Sequence, residues 1–121
     1  MINFNVKVKI DSTKLRQKRK QSKKFAQMQL DEDVLKDSNY FIPEESGNLM
    51  QSGILHTRIG SGKVIWKTPY ARRLYYNPQY HFHKETNPNA QGLWFEAAKK
   101  LHKEDWLHKA KKKYSKFFNG K

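Results

Sequence analysis

The side chains best suited to holding a metal are His81, His83 and Glu85, set around Phe82. On a strand the two imidazoles would point to one side, and neutral imidazole is a common zinc ligand. The surrounding run from Asn77 to Gln91 contains Pro78 and Pro88 and reads as a loop, longer than compact domains usually carry. No further His or Cys is placed to complete a shell, so the reading is a solvated aromatic-rich loop without metal. Carboxylates cluster at Asp31-Glu32-Asp33 and Glu44-Glu45, where pairs could do acid–base work or hold magnesium. Both clusters fall at segment ends, where acids solvate a turn or favour a helix start. Ser46, Ser52 and the five histidines form no nucleophile elbow and no triad. Gly60 and Gly62 resemble a phosphate loop only in spacing, because no Lys-Ser or Lys-Thr pair opens a helix after them. The absence of cysteine excludes a disulfide scaffold, a thiolate zinc site and a cysteine nucleophile. No catalytic residue, cofactor or metal ligand is assigned, and the expectation is a protein that is not an enzyme.

Charge is the stronger signal. In 121 residues, 25 Lys and Arg face 11 Asp and Glu, for a formal net charge of +14. Seven cations (Lys14, Arg16, Lys18, Arg19, Lys20, Lys23 and Lys24) surround a single apolar residue, Leu15. A second tract runs from Lys99 to Lys121, with Tyr114, Phe117 and Phe118 interleaved. Such surfaces attract phosphate backbones by counterion release, without sequence preference. An acidic protein partner or a merely solvated face would use the same residues. With 36% hydrophobic residues and a mean hydropathy of −1.00, the chain approaches the composition of disordered proteins. Its 7 Phe, 6 Tyr and 3 Trp oppose this, since each can bury a large area. The result is a single domain, 1–121, with a thin core and basic extensions. A core this small is marginal alone, so oligomerisation or docking is expected. No apolar run reaches the roughly 18 residues of a membrane span. Met1 to Ile10 has neither a basic nor a continuously apolar leader, so a soluble protein made in the cytoplasm is expected.

The elements that position these groups follow from periodicity. Met1 to Ile10 alternates, with Ile2, Phe4, Val6, Val8 and Ile10 on one side, and reads as a strand. Asp11 or Ser12 can cap a long helix from Thr13 to about Lys36, whose basic first half must project into water or against a partner. Tyr40-Phe41-Ile42 is apolar and Pro43 stops what precedes it. Ser46-Gly47-Asn48-Leu49 opens a short helix that Ser52-Gly53 closes. Ile54 to Ile59 and Lys63 to Thr68 read as strands joined by a hairpin at Gly60-Ser61-Gly62. Pro69 starts a short helix with Thr68 as its cap. A last helix runs from about Gly92 to Phe118. Trp94, Ala97, Ala98 and Leu101 share one face, and Trp106-Leu107 is displaced by about 120°. Either this helix kinks near Asp105 or it carries a second sticky face.

The series Tyr40-Phe41-Ile42-Pro43, Ser46-Gly47-x-Leu49-x-x-Ser52, Val64-Ile65-Trp66, Thr68-Pro69-Tyr70-Ala71-Arg72 and Tyr75-Tyr76 resembles the minor capsid proteins of tailed bacteriophages. Gly92-Leu93-Trp94-Phe95-Glu96-Ala97-Ala98-Lys99 is similar to that family's closing helix. The physical roles of these motif residues are structural: a hydroxyl cap at Ser46, an inward Leu49, a close approach at Ala71.

The fold expected is α+β: a small antiparallel sheet of three or four strands packed against a long N-terminal helix and a C-terminal helix. Basic helical stretches occupy 13–36 and 93–118. The resemblance implies a non-enzymatic virion protein at the phage neck, assembled as a six-membered ring between the head-side connector and the tail tube. Candidate subunit contacts are Phe25, Met28, Trp106, Leu107, Tyr114, Phe117 and Phe118. The basic residues face either DNA in the neck channel or an acidic partner. The alternative is a free basic nucleic-acid-binding protein of phage origin, although no helix-turn-helix spacing supports specific readout.

Overall fold

Alternating Ile2, Phe4 and Val6 find their partner far along the chain. In the computed structural model, β1 (Ile2–Asn5) runs antiparallel to β2 (Lys63–Trp66), with Ile2 opposite Trp66 and Phe4 opposite Val64. The structure describes residues 2–7, 16–42, 48–76 and 90–119. Ile2, Val6, Val64 and Trp66 are buried, while Asn3, Asn5 and Lys63 face solvent. Val8 and Ile10 lie outside the described residues.

Among the described residues the sheet has two strands, not three or four. Ile54 to His56, expected in a strand, form the last turn of α2 (Asn48–His56). Gly53 does not close that helix; it lets the helix lie flat on the Trp66 indole and Leu35. A methyl group there would stand 2.8 Å from Trp66 Cδ1 and 3.0 Å from Leu35 Cδ1. Ser52 ties the same helix to the end of β2: its hydroxyl donates to the Leu49 carbonyl at 2.6 Å and accepts the Lys67 N–H at 3.2 Å. Thr57 occupies the place a third strand would take. Its Oγ1 accepts the Ile65 N–H at 3.0 Å and reaches the Ile65 carbonyl at 3.4 Å, satisfying the strand edge with one side chain.

The long helix α1 (Arg16–Asn39) extends three residues past its expected end and buries a polar stripe: Ser22, Gln27, Asp31, Asp33, Ser38 and Asn39 beside Ala26, Leu30, Val34 and Leu35. Asn39 Oδ1 accepts the Trp66 indole N–H at 2.9 Å. Gln27 Nε2 donates to the Val6 carbonyl at 2.6 Å and to Asp31 Oδ1 at 2.8 Å. Asp31 Oδ2 accepts the Gly60 N–H at 2.7 Å and the Gly62 N–H at 3.0 Å. The Val6 N–H closes the circuit on the Gly62 carbonyl at 2.6 Å. Gly60 and Gly62, at φ 98° and 80°, aim both amides at one carboxylate. The loop that looked like a phosphate cradle is therefore filled by the protein's own acid.

Five aromatic rings join the sheet to the remaining helices. Trp66, Trp94 and Tyr75 are fully buried, with Tyr75 and Trp94 centroids 4.7 Å apart. Phe4 stacks on Phe95 at 4.5 Å. The short helix α3 (Ala71–Tyr75) supplies Tyr75. Its N-cap is Tyr70 rather than Thr68, with no side-chain cap; Thr68 contributes only its carbonyl, to the Ala71 N–H at 3.3 Å. Leu93, in the left-handed region at φ 51°, turns the chain into α4 (Trp94–Phe118), and its N–H donates to the Tyr75 carbonyl at 2.9 Å.

α4 is one continuous helix, and the displaced stripe forms a second buried face. Its buried residues Trp94, Ala98, Trp106, Ala110 and Tyr114 fall on a four-residue row, which drifts about 40° per step around a helix of 3.6 residues per turn. The helix thus changes partner along its length, from the aromatic cluster at Trp94 to α1 at Trp106. Leu101, expected in the first stripe, is exposed. Trp106 Nε1 donates to Asp37 Oδ2 at 2.6 Å. Trp106→Phe keeps most of the ring and removes this bond. Asp37 is half-buried and can rehydrate, so the expected loss is about 1 kcal/mol, read as a lower urea midpoint at unchanged slope.

Candidate polyanion interface

Two contacts fix how α1 and α4 lie together. Phe25 stacks on Phe117 with centroids 4.0 Å apart, and Asp37 meets Trp106. Low numbers on one helix face high numbers on the other, so the pair is antiparallel. Twelve residues of α1 and eleven of α4 separate the two contacts, about 17 Å of rise on each. The N-terminal half of α1 and the C-terminal end of α4 therefore share one end of the molecule. The sheet and α2 pack along the C-terminal half of α1, from Gln27 to Asn39.

That shared end is strongly cationic. It carries Arg16, Lys18, Arg19, Lys20, Lys23 and Lys24 from α1 and Lys111, Lys112, Lys113 and Lys116 from α4. No Asp or Glu occurs from Arg16 to Leu30 or from Trp106 to Asn119. Most of these side chains are exposed; Lys18, Arg19 and Lys113 are half-buried. Lys113 lies over the Phe117 ring, 5.8 Å from its centroid. Toward the body, Gln29, Glu32, Asp33, Lys36, Lys109, Lys112, Lys113 and Lys116 line an open groove in which amines outnumber carboxylates. Lys109 marks the inner boundary. It bonds Asp105 at 3.2 Å, and that bond and charge, with smaller contributions from Asp33 and Asp37, hold its amine above the ordinary lysine value.

This arrangement works against the fold. Arg16–Lys20, Lys20–Lys24 and Arg19–Lys23 on α1, and Lys112–Lys116 on α4, are like charges four residues apart. Each such pair costs a helix about 0.2–0.5 kcal/mol. Lys20→Glu converts two of them into attractions. It is expected to raise stability by about 1 kcal/mol at low ionic strength, and the gain should vanish near 1 M salt. Thermal melts at both salt concentrations check this.

The other sequence candidates divide clearly. Lys14, Pro43, Ser46 and Gly47 lie outside the described residues, as do Glu44, Glu45, His81, His83 and Glu85. Leu49, Ser52, Trp66, Ala71 and Trp94 are buried in the body, Tyr70 is half-buried against it, and Pro69 is exposed. Of the candidate subunit contacts, Trp106 and Tyr114 are buried within the chain's own core. Phe25 and Phe117 cover each other, Phe118 stacks on Tyr114 at 5.5 Å, and Met28 is half-buried. Leu107 alone of that set is exposed. Lys111, Lys112, Lys113 and Lys116 belong with the α1 cations although they were not singled out among the candidate contacts. Their tract was visible, but its position beside α1 follows only from the antiparallel packing.

The model of the minor capsid protein family matches residues 6–114, a span that begins just after β1 and includes β2, α1, α2, α3 and all but the last turn of α4. No curated protein and no solved structure matches the chain.

Proposed function

Because the chain belongs to the phage minor capsid protein family, and is thus a structural virion protein, we propose that it joins head and tail at the neck of a long-tailed phage or prophage. It would do so as a ring of six copies between the head-side connector and the tail tube. The observation that carries this reading is the family match over 109 positions, 6–114, which takes in most of the body and of the basic end. The division of the surface supports it. Large exposed apolar residues (Ile54 and Leu55 on α2, Tyr76 after α3, Leu101 and Leu107 on α4) sit on the body, and the stretches of α1 and α4 that hold cations without an acid sit at the far end. Such a molecule can contact protein neighbours through one part and a polyanion through another. Heads and tails from a phage lacking this gene provide the test. Adding the purified chain is expected to restore infectious particles; failure to restore them, with competent heads and tails both present, would remove the joining role.

A further inference from the structure

We propose that the basic end formed by α1 and α4 binds the phosphate backbone of duplex DNA, without reading its sequence. This reading does not depend on the neck position, because it rests on the surface alone. Among the described residues, ten cations from two antiparallel helices lie at that end, and Glu32 and Asp33 meet them only along the inner groove, where Lys36, Lys109, Lys112, Lys113 and Lys116 outnumber them. Like charges four residues apart repel along each helix, and a polyanion would relieve that repulsion.

The same surface disfavours other occupants. Protein interfaces are built around buried aromatic or aliphatic anchors and are depleted in lysine. None of the large exposed hydrophobic residues among the described positions lies in 16–24 or 109–118. A lipid surface would need an exposed apolar helix face, which is missing for the same reason. Single strands bind by stacking bases on free aromatic rings. Here Phe25 and Phe117 stack on each other and Tyr114 is buried against Phe118. Eight of the ten cations are lysines, point charges suited to phosphate rather than the planar fork that reads guanine.

The experiment titrates the full chain with two 30-base-pair duplexes of unrelated sequence between 50 and 200 mM salt. Two triple variants are compared: Lys20→Gln with Lys23→Gln and Lys24→Gln, and Lys111→Gln with Lys112→Gln and Lys116→Gln. The wild type should lose roughly a thousandfold in affinity across that range, equally on both duplexes. Each triple variant should flatten the logarithmic salt slope by about 3. Thermal melts keep the result interpretable, since removing like charges should leave each variant at least as stable as the wild type. Loss of binding in a variant that melts lower would call for Lys→Arg versions of the same triples, which must bind as the wild type does. Absence of salt-dependent binding, a slope altered by only one helix, or a tenfold preference for one duplex would overturn the proposal. Equal competition by polyglutamate of matched charge would also overturn it, in favour of an acidic protein partner.

Discussion

Asp31→Ala should cost about 3–5 kcal/mol of stability, because it leaves two buried donors and one half-buried donor without this acceptor. The Gly60 and Gly62 amides and the Gln27 side-chain amide all end on this carboxylate, which is fully buried. The damage should spread beyond the turn. Gln27 also holds the Val6 carbonyl, and the Val6 N–H returns to the Gly62 carbonyl, so strand, helix and turn share one closed circuit. For a chain of this size the loss corresponds to a thermal midpoint lower by about 10 °C or more. Asp31→Asn keeps one acceptor oxygen and should cost less. Glu32→Ala removes a neighbouring carboxylate that is exposed, and should change stability by less than about 0.5 kcal/mol. A double-mutant cycle with Gln27→Ala should show strong coupling, since both changes break the same circuit. Urea unfolding of the wild type and these five variants, the double mutant included, checks the set; an Asp31→Ala protein as stable as Glu32→Ala would show that the circuit holds nothing together.

Gly53→Ala should destabilise by about 2 kcal/mol, against the sign that helix propensity predicts. In the interior of a free helix the change would gain about 1 kcal/mol. Here the new methyl meets the Trp66 indole and Leu35. The indole cannot simply retreat, because it is fully buried, bonded to Asn39 and packed edge-on to Trp94 at 5.9 Å. Displacing it strains the hydrogen bond and the aromatic cluster together. A quenched or shifted tryptophan emission in the variant would report this movement directly. A Gly53→Ala protein more stable than the wild type would mean that α2 does not lie on Trp66.

Gly53 also shows where reading the sequence stops short. Glycine before Ile54-Leu55 looks like a helix end followed by a strand, because local pattern cannot distinguish a stop from a close approach. What decides it is Trp66, thirteen residues away, whose ring occupies the space of a side chain. The long helices were legible, since 24 residues without Gly or Pro and a row of apolar residues around Trp94 have one simple reading. Their inner surfaces were not. Ser22, Gln27, Asp31, Asp33, Ser38 and Asn39 look like solvent residues and are buried; Gln27, Asp31 and Asn39 find their partners at the end of the first strand, in the glycine turn and on Trp66. The Trp106 and Tyr114 side chains look like surplus apolar residues for a neighbouring subunit and are buried in the chain's own core, Trp106 bonded to Asp37 of α1. For the basic end, the charges were evident from composition, but their convergence was not. It requires knowing that α1 and α4 are antiparallel, which the Phe25–Phe117 and Asp37–Trp106 contacts establish.

The joining role is tested most directly by electron microscopy of a lysate from the parent phage with this gene deleted. The account predicts DNA-filled heads beside separate tails of normal length, with few joined particles. Intact, tailed particles at the wild-type frequency would contradict it.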